Sequence, residues 1–66
     1  MKNLYSVVII KETELQYYRT DFYFEALNLV NAKMNKLGVN IKATIKKLTY
    51  NKHGELVTSE IKLDIR

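Results

Sequence analysis

The sequence predicts a small α+β domain in which two strands, one helix and two further strands follow one another, in the order ββαββ. Two observations support this fold class. Apolar residues alternate with a period of two near both ends of the chain, as in half-buried strands. Between these segments the apolar spacing changes to about 3.6 residues, which is typical of an amphipathic helix. The 66 residues include no proline and no internal repeat, so we expect one domain over residues 1–66.

A first hairpin is predicted from residues 3–11, called β1, and residues 15–20, called β2. The stretch LYSVVIIKE in β1 carries apolar residues at both parities, and LQYYRT in β2 is rich in the aromatic residues that favour strands. Glu12, Thr13 and Glu14 form a polar break between the two stretches. We therefore expect a turn there.

The helix α1 is predicted over about residues 21–37. Apolar residues at steps of four and three lie on one face of such a helix: Tyr23, Leu27, Val30, Met34 and Leu37. Asp21 is the expected N-cap residue, and Gly38 is expected to end the helix in a left-handed conformation.

Two further strands are predicted over residues 39–50, β3, and 57–65, β4. In β3 we expect Val39, Ile41, Ala43 and Ile45 to face inward. Leu48 and Tyr50 continue on the other parity, so we expect a β-bulge at Lys46 and Lys47 to restore the pattern. A type I turn is predicted over residues 51–54. In β4 the residues expected to face inward are Val57, Ser59, Ile61, Leu63 and Ile65.

These elements predict a four-stranded antiparallel sheet with α1 on one face. A right-handed connection from β2 through α1 to β3 leaves room for β1 between those two strands. The expected spatial order is therefore β2-β1-β3-β4, with β2 and β3 parallel in direction.

One face of this sheet is expected to lack a cover. A helix of about 16 residues is about 24 Å long and shields one side only. Contiguous exposed apolar residues usually mark a binding site, and aromatic residues are favoured there. We expect the protein interface to consist of Tyr5, Val7, Ile9, Tyr18 and Tyr50. In the alternative interpretation, the long aliphatic stems of Lys42 and Lys62 cover the patch.

The interface interpretation implies a macromolecular partner. Because two small sheets can bury each other through a two-fold interface, we expect a homodimer, and a host protein or another protein is the alternative partner. One flank of α1, with Phe24, Asn28, Asn31 and Asn35, is a second candidate contact surface, or simply a solvated face.

Nucleic-acid binding is the alternative function. The net charge is +4, and five lysines gather on the β3–β4 hairpin: Lys42, Lys46, Lys47, Lys52 and Lys62. Glu60 and Asp64 are expected to pair with Lys42 or Lys46 across the strands, which weakens this field. Exposed tyrosines beside positive charge would still suit stacking with single strands.

The residue inventory argues against an enzyme and against cofactors or metals. His53, the one histidine, falls in the predicted turn, and Ser6 and Ser59 are distant from it in sequence. There is no cysteine and no glycine-rich phosphate loop. No apolar segment approaches the roughly 20 residues needed to cross a bilayer, so we expect a cytoplasmic protein without a membrane partner.

The chain resembles small early proteins of bacteriophages and prophages in its layout. The features that carry the resemblance are the basic hairpin, the lack of cysteine and the segment LQYYRTDFYFEALNLV, residues 15–30. The resemblance is of layout across most of the chain. It implies an inhibitor or modulator that binds a host protein in the host cytoplasm. The phage inhibitors of uracil-DNA glycosylase have a comparable layout but mimic DNA with acidic residues, and the charge of +4 departs from that pattern.

Overall fold

The computed structural model describes residues 2–37 and 41–66, and it confirms an α+β fold with a four-stranded antiparallel sheet and one helix. The elements are β1 (Lys2–Lys11), β2 (Glu14–Thr20), α1 (Tyr23–Leu37), β3 (Ile41–Tyr50) and β4 (Leu56–Ile65). Their bounds agree with the predicted ranges within about two residues. The predicted stop at Gly38 and the inward position of Val39 lie outside the described residues. Within the described ranges, α1 is too short and too polar to span a bilayer.

The sheet has the predicted order β2-β1-β3-β4, so β1 is paired on both sides. Every neighbouring pair is antiparallel; for example, Val7 lies opposite Tyr18 of β2 and Ile45 of β3. β2 and β3 are both antiparallel to β1, which separates them. The parallel relation expected between β2 and β3 is therefore one of direction only, and the described residues form no parallel ladder.

The hydrophobic core lies between α1 and the sheet face that carries the odd-numbered residues of β1 and β3. α1 packs over β1, β2 and β3. The fully buried residues are Val7 and Ile9 of β1, Ala26 and Val30 of α1, and Ile41, Ala43 and Ile45 of β3. The expectation that Tyr5, Val7 and Ile9 face away from the helix is thus wrong. Because β1 is apolar at both parities, its own sequence did not reveal which parity the helix covers.

The helix begins two residues later than predicted. The backbone N–H of Ala26 donates to the carbonyl of Phe22 at 3.2 Å, so Phe22 occupies the N-cap position expected for Asp21. Glu25 in the first turn and Lys36 in the last turn have the charges that suit the helix dipole.

Tyr23, Leu27, Val30 and Met34 of the predicted apolar stripe pack toward the sheet, but the most deeply buried positions of α1 differ from the prediction. The side chain of Leu37 lies outside the described residues. Tyr23, Leu27 and Met34 are only partly buried against the core. Ala26 and Val30, which are four residues apart, are the fully buried pair. Ala26 was missed because an alanine adds little to an apolar pattern, although its small side chain lets the helix approach the sheet closely.

A β-bulge exists near the predicted place, but the extra residue is in β4 instead of β3. Ile45 pairs with Leu63, and the next residue, Lys46, pairs with Ile61, so Lys62 is the additional residue. β3 pairs with β1 without interruption, so its alternation continues unchanged. Leu63 therefore faces the core as predicted, whereas Ile61 points to the opposite face.

The register of β3 and β4 also decides the positions of four further residues. Leu48 and Tyr50 stay on the face opposite the core, because β3 itself contains no bulge. Ser59 pairs with Leu48 and therefore also faces away from the core. A second shift between Thr49 and Tyr50 makes Val57 an additional residue, and this side chain is exposed instead of buried.

The turn between β3 and β4 is held by its first residue, Asn51. The Asn51 side-chain Oδ1 accepts hydrogen bonds from the backbone N–H groups of His53 at 2.9 Å and Glu55 at 3.0 Å. The backbone N–H of Gly54 donates to the Asn51 carbonyl at 3.0 Å, which is the predicted β-turn bond. Gly54 has φ of 79°, a left-handed conformation that costs other residues free energy.

We expect Ile45→Val to lower the free energy of unfolding by about 1 kcal/mol, because it removes a methyl group from a fully buried site. The matched change Ile61→Val should alter it by less than about 0.5 kcal/mol, because the Ile61 side chain is 59% exposed. Urea unfolding followed by circular dichroism measures both. Equal losses for the two variants would mean that Ile61 faces the core and that the bulge at Lys62 is misplaced.

Gly54→Ala should cost about 1 kcal/mol through backbone strain alone, since an added Cβ would meet no atom within 4 Å. Gly54→Asn should cost less, because asparagine tolerates the left-handed region better. Thermal unfolding of the two variants tests this order. If alanine proved as stable as glycine, the left-handed turn would be contradicted.

Candidate functional site

The face of the sheet opposite α1, called the open face, has no element packed on it among the described residues. Strand pairing places sixteen residues there: Lys2, Leu4, Ser6, Val8 and Ile10 of β1, Leu15, Tyr17 and Arg19 of β2, Lys42, Thr44, Lys46, Leu48 and Tyr50 of β3, and Ser59, Ile61 and Asp64 of β4. At the end of β4, Leu56 lies opposite Tyr50. This arrangement explains why β1 is apolar at both parities. One parity forms the core, and the other forms the middle of the open face.

The open face carries apolar side chains in its centre and at both of its edges. Val8 and Ile10 in the centre are partly shielded by their strand neighbours. Toward the edges, large side chains are well exposed: Tyr17 is 69% exposed, Leu15 is 51% exposed and Ile61 is 59% exposed. Exposed apolar residues grouped in this way are characteristic of binding surfaces.

The charges on the open face are mostly positive. It carries four cationic side chains, those of Lys2, Arg19, Lys42 and Lys46, against one carboxylate, that of Asp64. Asp64 already accepts a bond from Arg66 Nε at 3.1 Å, which further reduces its effect on the surrounding potential. The face therefore favours an anionic partner.

A basic row crosses the middle of the open face. Arg19, Ser6 and Lys46 form one row, because Ser6 lies opposite both of the others. Neighbouring strands are about 4.8 Å apart, so the two basic residues begin about 10 Å from each other. Tyr17 and Val8 lie on one side of this row, and an apolar Leu4–Leu48 pair lies on the other. The basic row thus has apolar neighbours on both sides where it crosses β1, whereas Thr44 and Asp64 continue the row of Tyr17 and Val8 across β3 and β4.

The five residues predicted for the protein interface do not lie together. Tyr5, Val7 and Ile9 face α1, and the Tyr5 ring lies 5.7 Å from that of Tyr23. Tyr18 also packs against the core; its hydroxyl donates to Gln16 Oε1 at 2.8 Å, and the Lys33 ammonium lies 5.4 Å from its ring centre. Tyr50 alone lies on the open face.

The five lysines predicted for nucleic-acid contact are also divided between surfaces. Lys42 and Lys46 are on the open face, Lys47 is on the helix side opposite Tyr5, and Lys52 is exposed in the turn. Lys62 forms an ion pair with Glu60 at 3.3 Å.

The cross-strand ion pairs expected for Lys42 and Lys46 are not formed within the described residues. Glu60 pairs with Lys62 and Asp64 with Arg66, in each case along the same strand. Lys42 and Lys46 therefore have no ion-pair partner among the described residues.

Several residues of the open face escaped prediction because their role depends on pairing partners. Arg19 and Lys2 are far from the lysine-rich hairpin in sequence. Strand order alone brings Lys2 opposite Tyr50 and places Arg19 in the same row as Lys46, with β1 between them. The usable signal in the sequence is the even parity of β1, where Leu4, Val8 and Ile10 are apolar.

The helix provides a second exposed surface. Phe24, Asn28, Asn31 and Asn35 are all exposed, as the prediction of a separate helix flank requires. The Phe24 ring stacks on that of Phe22, with centres 5.6 Å apart. This surface is on the other side of the sheet from the open face, so it offers control positions for mutagenesis.

Groups that could support other chemistry are dispersed. In residues 2–37 and 41–66, no three histidine, aspartate or glutamate side chains are close enough to hold a metal ion. His53 is exposed in the β3–β4 turn, as predicted, with its backbone N–H bonded to Asn51.

Comparisons of the chain with protein-family models, with curated proteins and with solved structures give no match.

Proposed function

We propose that the protein is a noncatalytic interaction module that docks its open face onto an acidic surface of another protein. The observation that carries this proposal is the coincidence of exposed apolar side chains with uncompensated positive charge on one face. Apolar area supplies affinity, and the basic residues select a partner with carboxylates around its own apolar patch.

The dimensions of the sheet suit this role. Four strands about 4.8 Å apart and about 33 Å long present about 600 Å². A standard protein interface buries about 800 Å² on each partner, so the open face with its rim approaches one complete interface. The aromatic residues Tyr17 and Tyr50 are of the type that most often contributes binding energy.

The expected homodimer remains a prediction, and the charge distribution argues against forming it through two open faces. Such a dimer would place Arg19 and Lys46 of one copy near the same residues of the other, with Asp64 as the only carboxylate on each face. β2 and β4 are the edge strands of the sheet, so pairing of one of these edges with a second copy of the chain is another route to self-association.

The biological setting we propose follows from the resemblance to phage early proteins. In that setting the chain acts in the host cytoplasm as an inhibitor or modulator of a host protein. A host target with an acidic patch would meet the requirement for charge complementarity.

Ile61→Glu should weaken protein binding at least tenfold, because it places a like-charged carboxylate against the acidic partner within the apolar surface. Phe24→Glu, an equally exposed position on the helix side, should leave binding unchanged. The measurement is affinity capture from nuclease-treated bacterial lysate, followed by titration of the purified partner.

Two results would contradict the proposal. One is equal loss of binding in the two variants, which would point to the helix side or to a general effect of negative charge. The other is retention of binding by Ile61→Glu. Circular dichroism of both variants establishes that the fold is retained, which is expected because both side chains are exposed.

Nucleic acid is the second candidate partner, and a specific arrangement favours it. Tyr17 is the most exposed aromatic residue of the open face, and the basic row of Arg19 and Lys46 lies directly beside it. An aromatic platform next to cations suits the stacking of single-stranded bases. The exposed aliphatic residues Leu15 and Ile61 of the same face favour a protein over this alternative.

If a single strand binds the open face, Lys46→Glu should reduce its affinity and lower the slope of log K against log salt by about 1. Lys47→Glu should have little effect, because the two neighbours point to opposite faces. Fluorescence anisotropy with a labelled oligonucleotide at several salt concentrations measures this. Equal effects of the two substitutions would exclude binding by the open face.

A further inference from the structure

A shallow recess of about 610 Å³ lies at the end of the open face where β1 approaches the β3–β4 turn. It exists because β2 ends at Thr20, opposite Tyr5, so β2 contributes no neighbour beside Leu4 and Lys2. The residues that line it are Lys2, Leu4, Arg19, Tyr50, Asn51, Lys52 and Gly54.

The lining of the recess is strongly basic. Lys2, Arg19 and Lys52 come from three separate elements, and no carboxylate is among the lining residues. Glu55 follows the lining residue Gly54 in the sequence but does not itself line the recess. Its Oε1 accepts a hydrogen bond from Asn51 Nδ2 at 3.3 Å. Three cations around one recess suit an anion with more than one negative charge, and the planar fork of arginine suits a phosphate.

The remaining walls suit a flat apolar group. Tyr50 and Leu4 are half-buried, so they offer fixed surfaces. Gly54 has no side chain and leaves open space above the turn. The two hydrogen bonds accepted by Asn51 Oδ1 hold the turn in place, so the recess is formed before any ligand arrives.

From this combination we propose that the recess binds a phosphorylated nucleoside. The phosphate contacts Arg19, Lys2 and Lys52, and the base stacks on Tyr50. The volume lies within the range of about 300–1,000 Å³ that is usual for small-molecule sites. The ligand is either a free nucleotide or the phosphorylated end of a nucleic-acid strand. The proposal does not depend on a protein partner for the open face.

The test is a titration of the ¹⁵N-labelled protein by NMR at constant ionic strength, with AMP and with inorganic phosphate as probes. We expect saturable shifts of the Leu4, Arg19 and Gly54 amides with both probes, and tighter binding of AMP because only AMP can stack. Titrations with a 5′-phosphorylated oligonucleotide and with its unphosphorylated form distinguish between a free nucleotide and a strand end as the ligand. If the phosphorylated strand binds more tightly than AMP and the unphosphorylated strand does not, the ligand is a strand end.

Matched variants separate the recess from the rest of the open face. Arg19→Gln and Lys52→Gln should each weaken AMP binding about tenfold, whereas Lys42→Gln should not. Tyr50→Leu should abolish the preference for AMP over phosphate, and Tyr17→Leu should preserve it. Lys42 and Tyr17 are on the same face but do not line the recess.

The proposal is overturned if shifts increase linearly without saturation, or if they spread equally over the amides of Lys42 and Lys46. It is also overturned if Arg19→Gln and Lys42→Gln weaken binding equally, since that would indicate general attraction to a basic protein. A negative result in this titration would not affect the proposal that the open face binds a protein, because the capture experiment for that proposal depends on Ile61.

Discussion

One helix covering one face of a four-stranded sheet is the constraint on which the rest of this structure depends. α1 has 15 residues and is therefore about 22 Å long, enough to cover β1, β2 and half of β3 but not a second layer. Among the described residues, the core is accordingly small and consists of seven buried residues. All remaining apolar residues of the sheet must lie at the margins of this core or on the open face.

The central strand β1 shows this constraint most clearly. Val7 and Ile9 meet the helix, while Val8 and Ile10 point the other way between β2 and β3. Lateral contact with neighbouring strands shields Val8 and Ile10 in part, which lowers the cost of leaving them without a cover. The edge residues Tyr17 and Ile61 lack neighbours on one side and are therefore the most exposed.

The additional residue at Lys62 has an effect beyond local geometry. On the C-terminal side of this bulge, Leu63 and Ile65 support the core; on the other side, Ile61 joins the open face. One inserted residue thus divides β4 between the two faces, because side chains alternate with a period of two. The bulge increases the apolar area of the open face, and it places Ile61 beside the basic row that contains Lys46.

The sequence by itself determined the element order, the approximate bounds, the strand order and the existence of an uncovered face. These features follow from hydrophobic period, turn residues and the handedness of the β2–α1–β3 connection, all of which are local or topological properties. Only the tertiary structure decided which parity of β1 the helix covers and where the bulge falls. Both choices depend on packing between distant segments: Ala26 and Val30 select the odd parity of β1, and the pairing of Lys46 with Ile61 assigns the extra residue to β4. The same physical reason explains the site. Arg19, Lys46 and Tyr50 come to share one face through strand pairing, and a one-residue change of register would move an entire strand to the other face.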